Sequence, residues 1–430
     1  RKLDNSCPLH DADGTLLPPD TDQKTEQLFN SLLESATEER GNTEVGDPEI
    51  GTRLHLSWGD GKSYNVRVVD KYGRKVKLHY DGWSSRFDEW VRTPSPRLKP
   101  IPSDRLTLEQ VLERQLQKSG VKLDKTGERA LHWHLANLEF ACAASLRAVS
   151  AAHWDQDDVN EYDGDHVVMP EGGYGELLTR IAAGIKVRYK VSVSEVHYGL
   201  DDREKVRLTA RCKGKDLSLT ADAVVVTVPL GVLQRTPAAG GVHFEPPLPV
   251  EKTDAMKRLG FGVLNKVVLF FSSPFWSHHT DFFGRTVKHP SDRGLFFLFC
   301  NWFRASGHYV LIGLAAGASA LGLEQISDEH CVAEAMLALE AMFGDSVEQP
   351  NRTIVTRWSG DKFAYGSYSF VQVGSSGKDY SVLSTPLASS LYFAGEHTNE
   401  DHPATVVGAY LSGIRAAKEV DRDLQSIATS

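Results

Sequence analysis

No stretch of this sequence approaches the run of about 20 apolar residues that a bilayer-spanning helix needs, so no membrane association is expected. Its five cysteines, Cys7, Cys142, Cys212, Cys300 and Cys331, form no C-x-x-C pair. That spacing encodes neither a disulfide framework nor a zinc site, and it suits a reducing compartment. Positive charge is in deficit: 48 Lys and Arg against 57 Asp and Glu leave a formal charge of −9. A surface of that sign argues against broad binding to a phosphate backbone and favours a cationic ligand. Internal repeats and low-complexity tracts are also missing. What is present is an ordinary globular composition, 41% hydrophobic and 24% charged, over 430 residues, enough for two or three domains.

Through residue 48 the chain is polar except for one helical pattern, "TEQLFNSLLESATEER", whose stripe is Leu28, Phe29, Leu32 and Leu33. "GNTEVGDPEIG" reads as a boundary. Beyond it, short alternating strands split by Gly-Asp-Gly and Tyr-Gly turns predict a small barrel of about 45 residues, closed off by "RTPSPRLKPIP". "LTLEQVLERQL" then opens a helix with Thr107 and Gln110 in capping-box spacing and Leu108, Val111 and Leu112 on one face. A longer helix is predicted from Lys125 to Val149. "ADAVVVTVPL" predicts a strand buried on both faces. "SSLYFAGEHT" predicts another, running into the helix "HPATVVGAYLSGIRAAKEV" with Pro403 in its first turn.

Two stretches carry chemistry. "GFGVLNKVVLFF" reads as one strand, with Leu264, Lys266, Val268 and Phe270 on a shared face. Either the Lys266 stem covers apolar surface while its amine reaches water, or the amine is buried and its pKa falls. In "FAGEHTNEDHPATVVGAYLSG", Ala394 and Gly395 permit close backbone approach to a ligand, and a helix beginning near Ala404 aims its N–H groups at it. An ordinary strand–helix joint explains Gly395 and Pro403 but has no use for Glu396 and His397.

"VLNKVVLFF", "FAGEHT…PATVVGAYLSG", "VVVTVPLGVL" and "RWSGDKFAYGSYSFV" together resemble the flavin amine oxidase superfamily. "CPLHDADGTLLPPDTDQKTEQLFNSLLESATEE" and "ALHWHLANLEFACAASLRAVSAAHWDQDD" narrow the resemblance to its lysine-specific histone demethylases. The resemblance implies a two-domain flavin amine oxidase fold, α/β plus α+β, with FAD as cofactor. It makes Lys266 the lysine that holds a water beside the reactive flavin nitrogen and assists reoxidation by oxygen. Val193, Thr227, Pro229, Gly395, Glu396, Ala404, Thr405 and Val406 match cofactor-contacting positions, Val193 through its backbone at the adenine end. Trp358 and Tyr368 match the aromatic walls before the flavin ring, where Tyr368 orients the methylated amine. The reaction implied removes hydride from an N-methyl group of mono- or dimethyl-lysine and yields formaldehyde and hydrogen peroxide.

Six carboxylates fall between Asp155 and Asp165. Their order does not fit a calcium loop, and they read either as a solvated acidic loop or as a mouth for basic peptide. By resemblance Asp157, Asp158 and Glu161 meet basic residues of a histone tail, and Asn137 and Phe140 line the same cavity. The partners implied are a histone tail, chromatin or the nucleosome and a corepressor complex, in the nucleus.

The barrel, in "KLHYDGWSSRFDEWV", resembles the Tudor-like or chromo-barrel readers of chromatin, and no heptad run supplies the family's helical tower. Tyr80, Trp83, Phe87 and Trp90 fall where such modules place a methyl-lysine cage, or else they form the core of a very small barrel. Cys300 stands where relatives have an aromatic wall and Phe363 where they have tryptophan, changes expected to loosen the cavity or shift methyl-state preference. The G-x-G-x-x-G turn and ribose-binding acid that open the family have no counterpart before residue 48. With Arg1 first, a fragment or one chain of a split protein is expected, holding FAD incompletely. The organisation expected is a helical lead-in over 1–48, the barrel over 49–98, a helical part of the substrate domain over 99–165, FAD-binding segments over 166–235 and 381–430, and the rest of the substrate domain over 236–380. A polyamine oxidase and a catalytically silent chromatin scaffold are the competing readings.

Overall fold

A computed structural model describes residues 6–42, 48, 50, 53–58, 63–80, 83–100, 106–160, 169, 172–200 and 206–429. The chain opens with β1 (Leu9–His10) and α1 (Pro19–Asn42), followed by β2 (Arg53–Ser57), β3 (Ser63–Tyr72), β4 (Lys75–Tyr80), β5 (Glu89–Arg92) and β6 (Leu98–Pro100). Three helices come next, α2 (Leu108–Ser119), α3 (Lys125–Cys142) and α4 (Gly173–Ile181). Strands β7 (Val191–Tyr198), β8 (Val206–Cys212), β9 (Lys215–Ala221) and β10 (Val224–Val226) lead to α5 (Leu230–Leu233), β11 (His243–Glu245) and α6 (Val250–Arg258). Then come β12 (Gly260–Gly262), β13 (Asn265–Phe270), β14 (Phe282–Arg285), β15 (Leu295–Asn301), α7 (Phe303–Ser306) and β16 (Val310–Ala315). The chain finishes through α8 (Gly317–Leu323), α9 (Asp328–Phe343), β17 (Arg352–Val355), β18 (Tyr368–Phe370), α10 (Lys378–Ser384), β19 (Leu391–Phe393) and α11 (Val406–Thr429).

The largest sheet has the order β1-β14-β15-β16-β13-β17, so the lysine strand is internal. On β13, Val267 and Leu269 are wholly buried with Phe296, Phe299 and Leu311 against Cys331, Ala335 and Leu339 of α9. Removing each such side chain from water contributes about 1.5–3 kcal/mol. The opposite face packs Leu314, with Cys300 and Ile312 part-buried, against Trp133, Ala136 and Phe140 of α3. Lys266 pairs with Leu314 and so belongs to this second face, whose β13 residues are only half-buried.

Strands β2 to β6 form a separate five-stranded antiparallel sheet, β5-β4-β3-β2-β6, with its own core of Leu54, Leu56, Val66, Val68, Val76, Leu78, Tyr80, Val91 and Leu98. A four-stranded sheet, β11-β7-β8-β9, and two strand pairs, β10-β19 and β12-β18, complete the described sheets.

The capping box forms as expected: Gln110 N–H donates to Thr107 Oγ1 (3.2 Å) and Thr107 N–H to Gln110 Oε1 (3.0 Å). Four expectations fail. "GFGVLNKVVLFF" breaks into β12 and β13 because Val263 N–H donates to Ala143 O (2.8 Å) and Leu264 N–H to Ser367 Oγ (3.0 Å). The third helix stops at Cys142, well short of Val149, because Ala143 turns left-handed (φ 49°) and caps it. The strand at Val224–Val226 is not buried on both faces, since Val225 is 38% exposed. The last helix starts at Val406 and leaves Pro403 outside its first turn, because Ala404 is itself left-handed (φ 60°).

Candidate active site

Asn265, buried just before Lys266, organises the lysine's surroundings. Its amide donates to Ala320 O (3.2 Å) and Glu324 Oε1 (2.7 Å), while its Oδ1 accepts from Thr356 Oγ1 (3.0 Å) and Trp358 N–H (3.2 Å). Thr356 Oγ1 also accepts from Lys266 N–H (2.8 Å), so the lysine and the Trp358 backbone share one frame. Among the described residues, no hydrogen bond or ion pair reaches Lys266 Nζ. Burial pulls that amine below the ordinary lysine value, and burial pushes the neighbouring Cys300 thiol up to about 12.

A second frame brings up the aromatic wall. Tyr368 lies on β18 opposite Gly262 of β12, and its hydroxyl donates to Phe140 O at the end of α3. Tyr368 and Phe140 thereby share the apolar cluster on the lysine's side of the sheet. Asn137 stands one turn earlier on α3, its amide donating to Trp133 O (3.1 Å). Burial holds the Tyr368 phenol far above its usual value, so it stays protonated.

Glu396 joins this wall to the turn before the last helix. Its carboxylate accepts from Ser369 Oγ (2.6 Å) and N–H (3.2 Å), beside Tyr368, and from Ala404 N–H (2.7 Å). Burial raises its pKa despite these three donors. Gly395 has φ 132°, and a Cβ there would lie 2.5 Å from His397 Cε1, so only glycine fits. Thr405 accepts from Gly408 N–H (2.9 Å), capping α11, and Val406 begins the helix with an exposed side chain. Lys266, Trp358, Tyr368, Phe140, Glu396, Gly395 and Ala404 are therefore linked through one web of strand pairing and hydrogen bonds.

Other candidates lie further along the fold. Val193 packs part-buried in the β7 cluster, Thr227 is exposed after β10, and Pro229 precedes α5. Asp157 is half-buried and Asp158 exposed in a tight turn where Asn160 N–H donates to Asp157 O (2.8 Å), while Glu161 lies outside the described residues. Gln156 anchors that turn to the loop ahead of α11 by donating to Glu400 O (3.1 Å). Phe363 is 61% exposed.

In the small sheet, Tyr80 and Trp83 stack with centroids 5.3 Å apart, and Phe87 meets Trp83 edge-on at 5.2 Å. Trp58 and Tyr64 join them, Tyr64 at 5.5 Å from Trp83 and Trp58 donating its indole N–H to Tyr80 Oη (3.0 Å). Trp90 does not sit with them: its neighbour Val91 fills the core, so strand alternation sends Trp90, 45% exposed, to the other face. Trp58 and Tyr64 were missed. The alternation of Tyr64 with the buried Val66 and Val68 was the available signal. Asn265 and Glu324 were missed as well, since nothing in the sequence brings them together.

Comparisons with known proteins bear on the family and the fold. Residues 23–421 match the family model described as flavin containing amine oxidoreductase. "Lysine-specific histone demethylase 1 homolog 1" of Oryza sativa subsp. japonica is 36% identical over 424 residues, 98% of this chain but 42% of that protein. "Possible lysine-specific histone demethylase 1" of Drosophila melanogaster is 33% identical over 97% of this chain and 54% of its own length. Thus the chain spans about half the length of these relatives. Among solved structures, cyclohexylamine oxidase from Brevibacterium oxydans shares the fold, with a TM-score of 0.58 at 16% identity, covering 92% of this chain and 86% of that one. The chain belongs to the family of flavin-containing amine oxidoreductases.

Proposed function

We propose that these residues form the catalytic part of an FAD-dependent demethylase acting on mono- and dimethyl-lysine in a histone tail, with formaldehyde and hydrogen peroxide as products. Family membership implies a flavin. The residues fit one: Lys266 presents an amine unpartnered among the described residues, and Gly395 leaves no room for a side chain beside the turn that meets the last helix. When bound, the flavin supplies the hydride acceptor. Lys266 holds a water at its partly desolvated amine, Gly395, Glu396 and Ala404 shape the turn, and Trp358 and Tyr368 orient the methylated amine and exclude water. The carrying observation is the web that joins Lys266, Tyr368 and Glu396. Asp157 and Asp158 give the site an acidic flank for a basic peptide, in line with the overall charge of −9.

The test is turnover by the full-length gene product on dimethyl-lysine, trimethyl-lysine and spermine substrates, with formaldehyde and peroxide measured. Release of both from dimethyl peptide alone supports the reading. Turnover of spermine only makes the protein a polyamine oxidase, and absence of bound flavin leaves the scaffold reading.

Two finer parts belong to the same proposal. Further polypeptide would complete the FAD site by covering exposed apolar side chains, Tyr174, Leu178 and Ile181 of α4 and Val225 of β10. The small sheet acts as a Tudor-like methyl-lysine reader, its cage walled by Trp58, Tyr64, Tyr80, Trp83 and Phe87, which would place the enzyme on chromatin in the nucleus. Trp83→Ala should weaken methylated-peptide binding by about 1–2 kcal/mol and Trp90→Ala should not, as read by fluorescence titration.

A further inference from the structure

The carboxyl end of α10 is capped by two cations from other elements. Lys252 Nζ, from α6, donates to Val382 O (2.9 Å) and Leu383 O (2.7 Å). Arg415, from α11, donates to Ser384 O (3.1 Å). Three successive carbonyls are thus taken up, where the helix carries its partial negative charge.

Both cations also grip the segment that enters the cofactor turn. Lys252 Nζ lies 4.1 Å from the centroid of the Phe393 ring, and Arg415 donates to Phe393 O (2.9 Å) and Thr398 Oγ1 (3.0 Å). Thr398 Oγ1 in turn donates to Gly395 O (2.8 Å), and Gly395 N–H donates to Ser412 Oγ (2.8 Å), one turn ahead of Arg415 on the same helix. Lys252 is only 2% exposed, and a lysine buried so deeply is costly unless its amine is fully used. Packing alone would be served by methionine. What the site gains is a fixed backbone: Gly395 reaches φ 132° without strain but is the most conformationally free residue of the turn, so the contacts around it set which conformation it holds.

We propose that Lys252 and Arg415 are paired positioning residues that lock the turn Ala394–Thr398 in the conformation that receives the flavin. This rests on the flavoenzyme reading. Neither residue touches the reacting atoms; they act through the Phe393 backbone and ring and through Thr398.

The test compares Lys252→Met, Lys252→Arg and Arg415→Gln with wild type in the full-length protein. Amide hydrogen exchange over residues 394–398 is measured in the apoprotein, and FAD Kd and the peptide KM in the holoenzyme. Lys252→Met and Arg415→Gln are expected to speed exchange in that turn about tenfold and to raise the FAD Kd by a similar factor, with peptide KM unchanged. Lys252→Arg restores both. Exchange and Kd within twofold of wild type, with only Tm lowered, would overturn the proposal and leave a structural lysine. If Lys252→Met fails to fold, Arg415→Gln decides on the same readings. A wild type that binds no flavin sinks the oxidase reading, while exchange in the apoprotein still decides the clamp.

Discussion

Around β13, the sheet has strands on both sides and both faces packed, with Val267 and Leu269 fully buried. Among the described residues β10 has one partner strand, β19, and Val225 is 38% exposed; elsewhere in the chain α4 shows Leu178 at 58% and Ile181 at 51%. Parallel strands usually occur buried beneath helices on both faces, and β19 fits that rule with Leu391, Tyr392 and Phe393 at 1% exposure or less, whereas its partner β10 is open at Val225. The β13 sheet is stabilised by its own contacts, whereas β10 and α4 leave apolar side chains exposed.

The sharpest way to break that contrast is to cut into both regions. Leu269→Ala should cost about 3–4 kcal/mol in urea unfolding, because the packed sheet cannot collapse into the space left. A loss under 1 kcal/mol would mean that the β13 region is looser than its packing indicates. Next in size is a pH effect at the turn before α11. Burial beside Lys252 lowers the His397 pKa from 6.5 to about 4. Above pH 6.5 neither the folded nor the unfolded form carries that proton. As pH falls from 6.5 to 4 only the unfolded chain takes it up, so about 3 kcal/mol of stability is lost. Replacing His397 with Gln should flatten this acid limb; an unchanged limb would assign it to other groups.

Lys266→Met should change stability by less than about 1 kcal/mol, since an apolar side chain of similar length removes a desolvated amine. In the flavin-loaded enzyme it should slow reaction with oxygen, and unchanged oxygen kinetics by stopped flow would remove the role given to the lysine. The smallest effect is expected at Leu178→Ser, within about 0.5 kcal/mol in these 430 residues and with less binding of an apolar dye. A cost equal to that of Leu269→Ala would show that the α4 surface is already covered.

The capping box at Thr107 was legible from spacing alone, and local pattern put Lys266 on a strand and Glu396 in the turn after another, where the structure places them. Trp90 was misplaced among the cage residues because aromatic spacing does not report which face a strand residue occupies. One buried neighbour, Val91, decides it. The break at Val263 was illegible because it depends on hydrogen bonds to distant segments, Val263 N–H to Ala143 O and Leu264 N–H to Ser367 Oγ.

Chain order alone determined the family, the strand that carries Lys266, the glycine at 395 and the independence of the small sheet, because these follow from local periodicity, turn chemistry and motif. Tertiary structure decided that Asn265 holds Thr356 and Trp358 beside the lysine, that Glu396 ties Ser369 to Ala404, and that Lys252 and Arg415 meet at the end of α10. Such buried polar groups take whichever partners the packed chain brings within reach, and desolvation makes those partners obligatory.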